Sequence, residues 1–293
     1  MAPMTWLSAR LVGAKAVVYL HGLDIALGHP LYRLLWLPLL RRMDLVFANS
    51  SATRGMAIAQ GIPATRIAIV HPGVAVPSPL PDPSTKNVAD VFYGLRNAKI
   101  LLSVGRLSSR KGLCEFVGEV LPLIVRRYPE VMLLVVGDVP KDALHAKAQT
   151  PEMIRDAARR AGVADHLRFL GVIVNRERLT NVYLGSDLHV FPVRTIPNDP
   201  EGFGMVAVEA AALGVPTVAY ATGGIVDAVA DGVSGRLVAP DQPEAFAEAI
   251  IDLLECPLPR EQVWRHAQAY DWSQFGRKIC EALCNLMFAR GTR

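Results

Sequence analysis

Short apolar runs alternate with amphipathic segments along most of this chain, and the alternation is clearest from residue 99 onward. Runs rich in leucine or β-branched residues predict buried strands at 99–104, 131–137, 167–171, 188–192, 215–220 and 235–239. Apolar residues at helical spacing between them predict helices at about 112–128, 151–162, 176–185, 204–213, 224–231 and 243–255. Strands that alternate with helices form a parallel sheet covered by helices, so this region is predicted to be a complete Rossmann-type domain.

The N-terminal part of the chain has the same pattern with fewer units. Its apolar runs predict strands at 16–20, 44–48 and 66–70, with helices at about 30–42 and 51–60. The stretch 73–98 contains four closely spaced prolines and predicts a linker. We therefore predict a partial Rossmann-like domain with its linker over 1–97 and a complete one over 98–270.

The composition is that of a folded globular protein, since 51% of the 293 residues are hydrophobic and 20% are charged. No apolar run approaches the roughly 18 residues that would span a bilayer. The net charge of +4 comes from scattered basic residues, which argues against nucleic acid as a partner. The four cysteines form no CxxC pair, which favours reduced thiols in a cytoplasmic protein.

The most informative segment is EGFGMVAVE, which begins at Glu201 and ends at Glu209. Gly202 and Gly204 come directly before an apolar helix, whose free amides and positive end suit an anion or a sugar phosphate. Glu201 is predicted in the loop and Glu209 one to two turns into the helix, so both carboxylates would accept hydrogen bonds from sugar hydroxyls. The alternative is that they are two ordinary acids at a helix start.

A second candidate segment, SVGRLSSRKG, follows the predicted strand at 99–104. Gly105 allows the chain to turn at the carboxyl end of the strand. Arg106 and Lys111 are then expected over the crevice where open α/β sheets bind ligands. Two cations at this position suit a diphosphate, and the alternative is a solvated basic turn.

Other features leave more than one interpretation open. His21 ends a predicted strand, and it either faces the cleft or has a structural role. The apolar segment 29–42 has basic ends, and it either lies on an anionic membrane or is buried between the domains. The remaining histidines lack metal-ligand spacing, so no metal site is predicted. No P-loop, GxSxG or GxGxxG fingerprint follows a strand, which argues against kinases, hydrolases and dehydrogenases.

Seven segments, taken in order, resemble those of the retaining, nucleotide-sugar-dependent glycosyltransferases of group 1, which have the GT-B fold. They are VGRLSSRKG, VVGD, LRFLGVI, LHVFP, EGFGMVAVEAAALGVPTVA, ATGG and GVSGRLV. The resemblance implies an α/β protein of GT-B type, with two Rossmann-like domains facing a cleft and the N-terminal one incomplete. It also implies that 271–293 form a helix that packs back on the N-terminal domain.

The same resemblance implies roles for individual residues. Arg106 and Lys111 would bind the donor diphosphate, Glu201 the transferred sugar and Glu209 the ribose hydroxyls. His21 resembles the H-G or H-D element of these enzymes and joins Arg106, Lys111 and Glu201 as a candidate catalytic residue. The full set implied for nucleotide-sugar binding is Gly105, Arg106, Lys111, Val172, Ile173, Glu201, Gly202, Phe203, Gly204, Met205, Val206 and Glu209.

The activity implied is transfer of a hexosyl unit from a UDP- or GDP-sugar to a polysaccharide or lipid-linked glycan, with retention at the anomeric carbon. No cofactor or metal is expected, and the expected location is the cytoplasm, with peripheral contact at the inner face of the membrane. Two departures from the family pattern favour the alternative of a non-catalytic or truncated nucleotide-sugar-binding fragment. The first strand and glycine-rich loop of the family's N-terminal domain have no counterpart before Ala16. In addition, Val70-His71-Pro72-Gly73 stands where the family usually has an asparagine before the glycine. A GT-B sugar epimerase or phosphorylase is a further enzyme alternative.

Overall fold

The computed structural model describes residues 2–26, 30–82, 95, 97–139 and 147–288. Its strands form two parallel sheets, one in each half of the chain. The predicted linker lies partly at 83–94, outside the described residues, and the same is true of the last five residues of the predicted C-terminal helix.

The N-terminal sheet has three strands in chain order: β1 (Val17–Leu20), β2 (Leu45–Ala48) and β3 (Ile67–Ile69). The helices described beside it are α1 (Ala2–Leu11), α2 (Leu23–Ala26), α3 (Pro30–Leu35), α4 (Leu37–Leu40) and α5 (Ser51–Ala59). Leu20, Val46 and Ile62 are buried in a core shared by the sheet and these helices. The three short strands are apolar along their length, and β2, the central one, is buried throughout because both of its faces are covered.

The C-terminal sheet has six strands in the order β6-β5-β4-β7-β8-β9. They are β4 (Ile100–Val104), β5 (Met132–Val136), β6 (Leu167–Gly171), β7 (Leu188–Phe191), β8 (Thr217–Tyr220) and β9 (Gly235–Val238). This is the strand order of a Rossmann sheet, in which the direction of winding reverses between the first and fourth strands. The reversal therefore lies between β4 and β7.

Helices cover both faces of the C-terminal sheet. The helices of this half are α6 (Leu113–Glu115), α7 (Leu121–Arg127), α8 (Pro151–Arg160), α9 (Arg176–Leu184), α10 (Met205–Ala212), α11 (Ile225–Ala228), α12 (Pro243–Glu255) and α13 (Arg260–Ala267). They are followed by α14 (Trp272–Phe288). A large apolar cluster around Phe116 and Phe246 fills one face of the sheet, and a second cluster around Leu134 and Tyr183 fills the other.

All nine strands predicted from the sequence are present in the described residues, each within about two residues of its predicted ends. The single helix predicted over 30–42 is wrong, because the chain forms α3 and α4 with a break at Trp36. Pro38 explains the break, since a proline is tolerated in the first turn of a helix but not in its interior. Within α4, Leu37 and Leu40 are buried in the core of the N-terminal half.

The helix predicted over 112–128 contains a π-helical turn, Phe116–Val120, between α6 and α7. Pro122 follows this turn and has no N–H to donate to the preceding turn. A π-turn is one way for a helix to continue past such a position. The helix predicted over 224–231 is shorter than expected, because Val229 is already extended.

The last helix, α14, lies against the N-terminal sheet rather than the C-terminal one. Phe275, Ile279 and Leu283 pack on Phe47 and Val70, which occupy the sheet face that α14 covers. The chain thus passes from the first half to the second and back. The two crossings touch, because the Val74 N–H donates to the Tyr270 carbonyl at 2.8 Å.

Candidate active site

The reversal between β4 and β7 opens a crevice at the carboxyl ends of the strands, because the loops that leave these two strands diverge. Gly105 begins the loop after β4 with φ +142°. The loop after β5 packs on it backbone to backbone, and a Cβ added to Gly137 would lie 1.8 Å from the Gly105 oxygen. Only glycine fits position 137.

A cavity of about 470 Å³ lies beside these two loops. This volume is in the range of small-molecule sites. The residues that line it are Val104, Gly105, Arg106, Val136, Gly137, Asp138, Val139, Val172, Ile173 and Leu179. The lining is apolar except at Arg106 and Asp138, so the cavity combines apolar walls with two charged side chains.

A buried cluster of four charged side chains joins the loop after β4 to the loop after β7. Lys111 Nζ donates to Glu201 Oε2 at 2.8 Å, and Arg110 Nη1 donates to the same carboxylate oxygen. Arg110 Nε lies 3.2 Å from Asp199 Oδ1. Gly112 permits this arrangement, because its φ is +69° and an added Cβ would lie 2.2 Å from the Pro192 oxygen.

The charges in this cluster stabilise one another against burial. Burial acts to raise the pKa of Glu201, but the neighbouring Lys111 and Arg110 outweigh it and hold that pKa below its ordinary value. Burial lowers the pKa of Lys111, and the charges of Arg110 and Arg106 act in the same direction against the attraction of Glu201. Lys111 Nζ also lies 4.4 Å from the centre of the Phe191 ring, a cation–π contact.

The EGFG loop lies between the two halves of the molecule. A Cβ added to Gly202 would lie 2.2 Å from the carbonyl oxygen of His21, which follows β1. On its other side the loop accepts a hydrogen bond, because the Gly224 N–H donates to the backbone carbonyl oxygen of Glu201 at 2.9 Å. The loop ends at Gly204, which has φ +94° and is the residue before α10. The first amides of α10 have no intrahelical partners, as at any helix start.

Glu209 occupies the second turn of α10, over a buried polar layer formed by Tyr183 and His189. Burial raises the pKa of Glu209. Burial and the nearby Glu209 carboxylate both raise the pKa of Tyr183. His189 is fully buried on β7 and its pKa is lowered to about 3, first by burial and then by the charge of Lys111, so this imidazole is neutral.

The structure brings together some of the residues singled out in the sequence and separates others. Lys111 and Glu201 are in direct contact, whereas Arg106 is exposed at the cavity rim with Val172 and Ile173. His21 lies at the end of β1 with an exposed side chain, and its backbone carbonyl is the part that meets Gly202.

Arg110 and Asp199 belong to the charged cluster, and the sequence analysis missed both. The available signals were weak: Arg110 is a further cation in the basic loop, and Asp199 is an acid two residues before Glu201. Neither signal indicates a partner about 90 residues away. Within the described residues, no three His, Cys, Asp or Glu side chains group as ligands for a metal ion.

Comparison with known proteins places this chain in a family. The family model described as "Glycosyl transferases group 1" matches residues 92–270, which is more than half of the chain, and that described as "Glycosyltransferase Family 4" matches residues 1–76. The chain belongs to the group 1 glycosyltransferase family. The resemblance predicted from the seven sequence segments is confirmed.

Curated relatives of this group 1 chain include two kinds of bacterial glycosyltransferase. A GDP-mannose-dependent alpha-(1-6)-phosphatidylinositol monomannoside mannosyltransferase of Mycolicibacterium smegmatis is 30% identical over 99% of this chain and 76% of the relative. D-inositol 3-phosphate glycosyltransferase 2 of Catenulispora acidiphila is 35% identical over 71% of this chain and 48% of the relative. The chain thus spans about half the length of relatives of the second kind.

Solved structures similar to this group 1 chain confirm the GT-B fold. Anabaena HepE in complex with UDP-glucose matches with a TM-score of 0.79 and 22% identity over 97% of this chain and 76% of that one. Sucrose-phosphate synthase from Thermosynechococcus elongatus matches with a TM-score of 0.72 and 22% identity over 98% of this chain and 72% of that one. No helix in the described ranges is long and apolar enough to cross a membrane.

Proposed function

We propose that this chain transfers a hexosyl unit from a UDP- or GDP-sugar to a polysaccharide or lipid-linked glycan acceptor, with retention at the anomeric carbon. The observation that carries the proposal is the contact between Lys111 and Glu201 beside the 470 Å³ cavity. It joins a cation suited to a phosphate and a carboxylate suited to a sugar hydroxyl at the switch point of a Rossmann sheet.

The donor is proposed to lie along the carboxyl ends of the C-terminal strands. Its base occupies the apolar cavity beside Val172 and Ile173, and its ribose hydroxyls donate to Glu209. Its diphosphate lies between Arg106 and the first amides of α10, with Lys111 beneath it. This placement of base, ribose and diphosphate follows the family resemblance. The apolar lining of the cavity supports it, since contact with apolar walls stabilises a bound planar base.

The proposed chemistry depends on electrostatic stabilisation of the leaving group. As the glycosidic bond breaks, negative charge grows on the diphosphate, and groups that interact more strongly with that charge lower the barrier. Lys111, Arg106 and the amides at the start of α10 supply positive potential there. Glu201 holds the Lys111 ammonium at 2.8 Å and is proposed to accept a hydrogen bond from the transferred sugar.

A lipid-linked acceptor would reach the site from a membrane surface, and α1 offers a face for such contact. Met4, Leu7 and Leu11 are exposed on α1. Arg10 and Arg42 both lie over the Trp6 ring, at 5.4 and 5.5 Å from its centre. Exposed apolar side chains beside cations suit the interface of an anionic bilayer, and a phosphatidylinositol mannoside is named as substrate of one relative.

Calorimetry with UDP and with GDP, each with and without a chelator, tests the donor site. One of the two is expected to bind without added metal, because cations and helix amides supply the positive charge. Failure of both to bind at millimolar concentration would refute the donor assignment, and a requirement for a divalent ion would refute the metal-free mechanism. Binding without transfer to any glycan or lipid acceptor would favour the non-catalytic alternative.

Arg106→Ala should weaken nucleoside diphosphate binding by about 1–3 kcal/mol, the range for hydrogen bonds to charged groups. Its side chain is exposed at the cavity rim, so the substitution should leave the melting temperature unchanged. The corresponding nucleoside, which lacks phosphates, should bind variant and wild type equally. An equal loss for both ligands would assign Arg106 to the base and not to the diphosphate.

The two glutamates should be separable by ligand. Glu209→Gln should weaken nucleoside diphosphate and nucleotide sugar alike by about 1–3 kcal/mol, whereas a 2′,3′-dideoxy nucleotide should bind variant and wild type equally. Glu201→Gln should leave the bare diphosphate nearly unaffected and reduce discrimination among nucleotide sugars. If both variants weakened the bare diphosphate equally, the separate roles would be refuted. A lower melting temperature of Glu201→Gln does not decide between them, because this substitution also removes a charge paired with Lys111 and Arg110.

A further inference from the structure

His71 connects the N-terminal half of the molecule to the EGFG loop. It follows β3, and its ring stacks on the Phe203 ring with centres 5.1 Å apart and planes 18° apart. Its Nδ1 lies 3.0 Å from the backbone carbonyl oxygen of Asn49. A carbonyl can only accept, so Nδ1 carries the proton and donates it there. The ring is therefore held by a hydrogen bond from its own half while its face meets the other half.

Phe203 is the central residue of the loop proposed to contact the donor. Its side chain is buried and packs on Tyr270 as well as on His71. The centres of the Phe203 and Tyr270 rings are 5.6 Å apart. Its neighbours Gly202 and Gly204 have no side chains to anchor them. The Phe203 ring is thus the main side-chain attachment of the loop between Glu201 and α10, and His71 forms one wall of its pocket.

A second contact between the halves lies beside His71. The Asp227 carboxylate accepts the N–H and the hydroxyl of Ser51, each at 2.5 Å, at the first residue of α5. The same carboxylate lies 3.8 Å from His71 Nδ1. A carboxylate is favourable at a helix N-terminus, so this contact holds α5 and α11 together. It thereby sets the separation between the two halves at the point where His71 stacks on Phe203.

We propose that His71 is a positioning residue for the donor site: its stacking on Phe203 holds the 201–204 backbone in the arrangement that binds the donor. The inference rests on the proposed function for its catalytic consequence. It makes donor affinity depend on contact between the two halves, although His71 is not placed against the donor itself. The stacked ring, and not the imidazole hydrogen bond, carries this role.

Burial and the charges around His71 determine how the strength of its contact with Phe203 changes with pH. Burial lowers the pKa of His71, and Lys278 on α14 acts in the same direction. The bond to Asn49 and the Asp227 carboxylate oppose this shift without reversing it. A group whose pKa is lowered by a contact binds protons more readily when the contact is lost. The contact should therefore weaken as pH falls below about 6.5, the ordinary pKa of histidine.

Three variants test the proposal. His71→Phe keeps a ring that can stack and removes the imidazole, whereas His71→Asn keeps a hydrogen-bond donor and removes the ring. His266→Asn is the matched control, because His266 is also half-buried, has a lowered pKa and packs on Tyr270 with ring centres 5.2 Å apart. The readouts are hydrogen exchange of the amides of 201–206 without ligand, and calorimetry with UDP and GDP between pH 5 and 8.

His71→Asn should speed exchange of the loop amides and weaken nucleotide binding, each about five- to tenfold, as expected for the loss of one coupling contact. His71→Phe should stay within about twofold of wild type at pH 8 and should lose the part of the pH dependence that wild type shows below about pH 6.5. His266→Asn should leave loop exchange unchanged.

Equal effects of His71→Asn and His71→Phe, or of His71→Asn and His266→Asn, would overturn the proposal. If wild type binds neither UDP nor GDP, the proposed function fails. Loop exchange then decides the positioning role by itself.

Discussion

Arg110→Ala should lower the free energy of unfolding by about 3–5 kcal/mol, the range for removing one partner from a buried ion pair. Arg110 is buried and lies against two carboxylates, those of Asp199 and Glu201. Without it Glu201 retains Lys111, but Asp199 loses this cation. The cost therefore comes mainly from burying an uncompensated charge.

Urea unfolding of Arg110→Ala and of a control, Arg127→Ala, measures this cost. Arg127 pairs with Glu255 at 2.7 Å, but both side chains are largely exposed, at 63% and 44%. An exposed ion pair contributes little to stability because water screens it, so the control should unfold near the wild-type midpoint. Equal midpoints for the two variants would show that the Arg110 cluster does not stabilise the fold.

Gly202→Ala should reduce glycosyl transfer about a hundredfold, the cost of displacing reacting groups by about 1 Å. The added Cβ would lie 2.2 Å from the His21 oxygen and 2.9 Å from Asn49 Nδ2. The first of these atoms belongs to backbone, so the EGFG loop must move instead. Movement of the loop shifts Glu201 and the start of α10 together.

Gly55→Ala is the control for this substitution, because no atom beyond its chain neighbours and its own helix backbone lies within 4 Å of the Cβ it would add in α5. Alanine is favoured over glycine within a helix by about 1 kcal/mol, so this variant should be at least as stable as wild type and equally active. Initial transfer rates, with UDP or GDP affinity as a second measurement, compare the two. Wild-type rates in Gly202→Ala would show that the loop does not need its contact with the His21 backbone.

The sequence was informative wherever local chemistry decides the structure. Parallel strands covered by helices are mostly apolar, so all nine were predictable from short apolar runs such as KILLSV. Gly105 and Gly204 have positive φ, a backbone conformation that other residues rarely adopt, which is why these glycines at a strand end and a helix start indicated the edge of the site.

What the sequence did not predict depends on contacts between distant segments. Arg110 and Glu201 are 91 residues apart, and nothing in either loop indicates that they pair. The stacking of His71 on Phe203 likewise joins two halves whose relative placement no local pattern encodes. The orientation of His21 was open for the same reason, since the end of a strand fixes where a residue lies but not which part of it faces the cleft.

The return of α14 to the N-terminal sheet determines how the two halves can move. A single crossing of the chain would allow one half to swing and twist freely about the other. Here two crossings run side by side and are joined at Val74 and Asp271, with Gly73 packed so closely on Trp272 that an added Cβ would lie 2.5 Å from its ring. Two paired strands of chain resist twisting, so we expect any relative movement of the halves to be a hinge rotation about the pair formed by Val74 and Asp271.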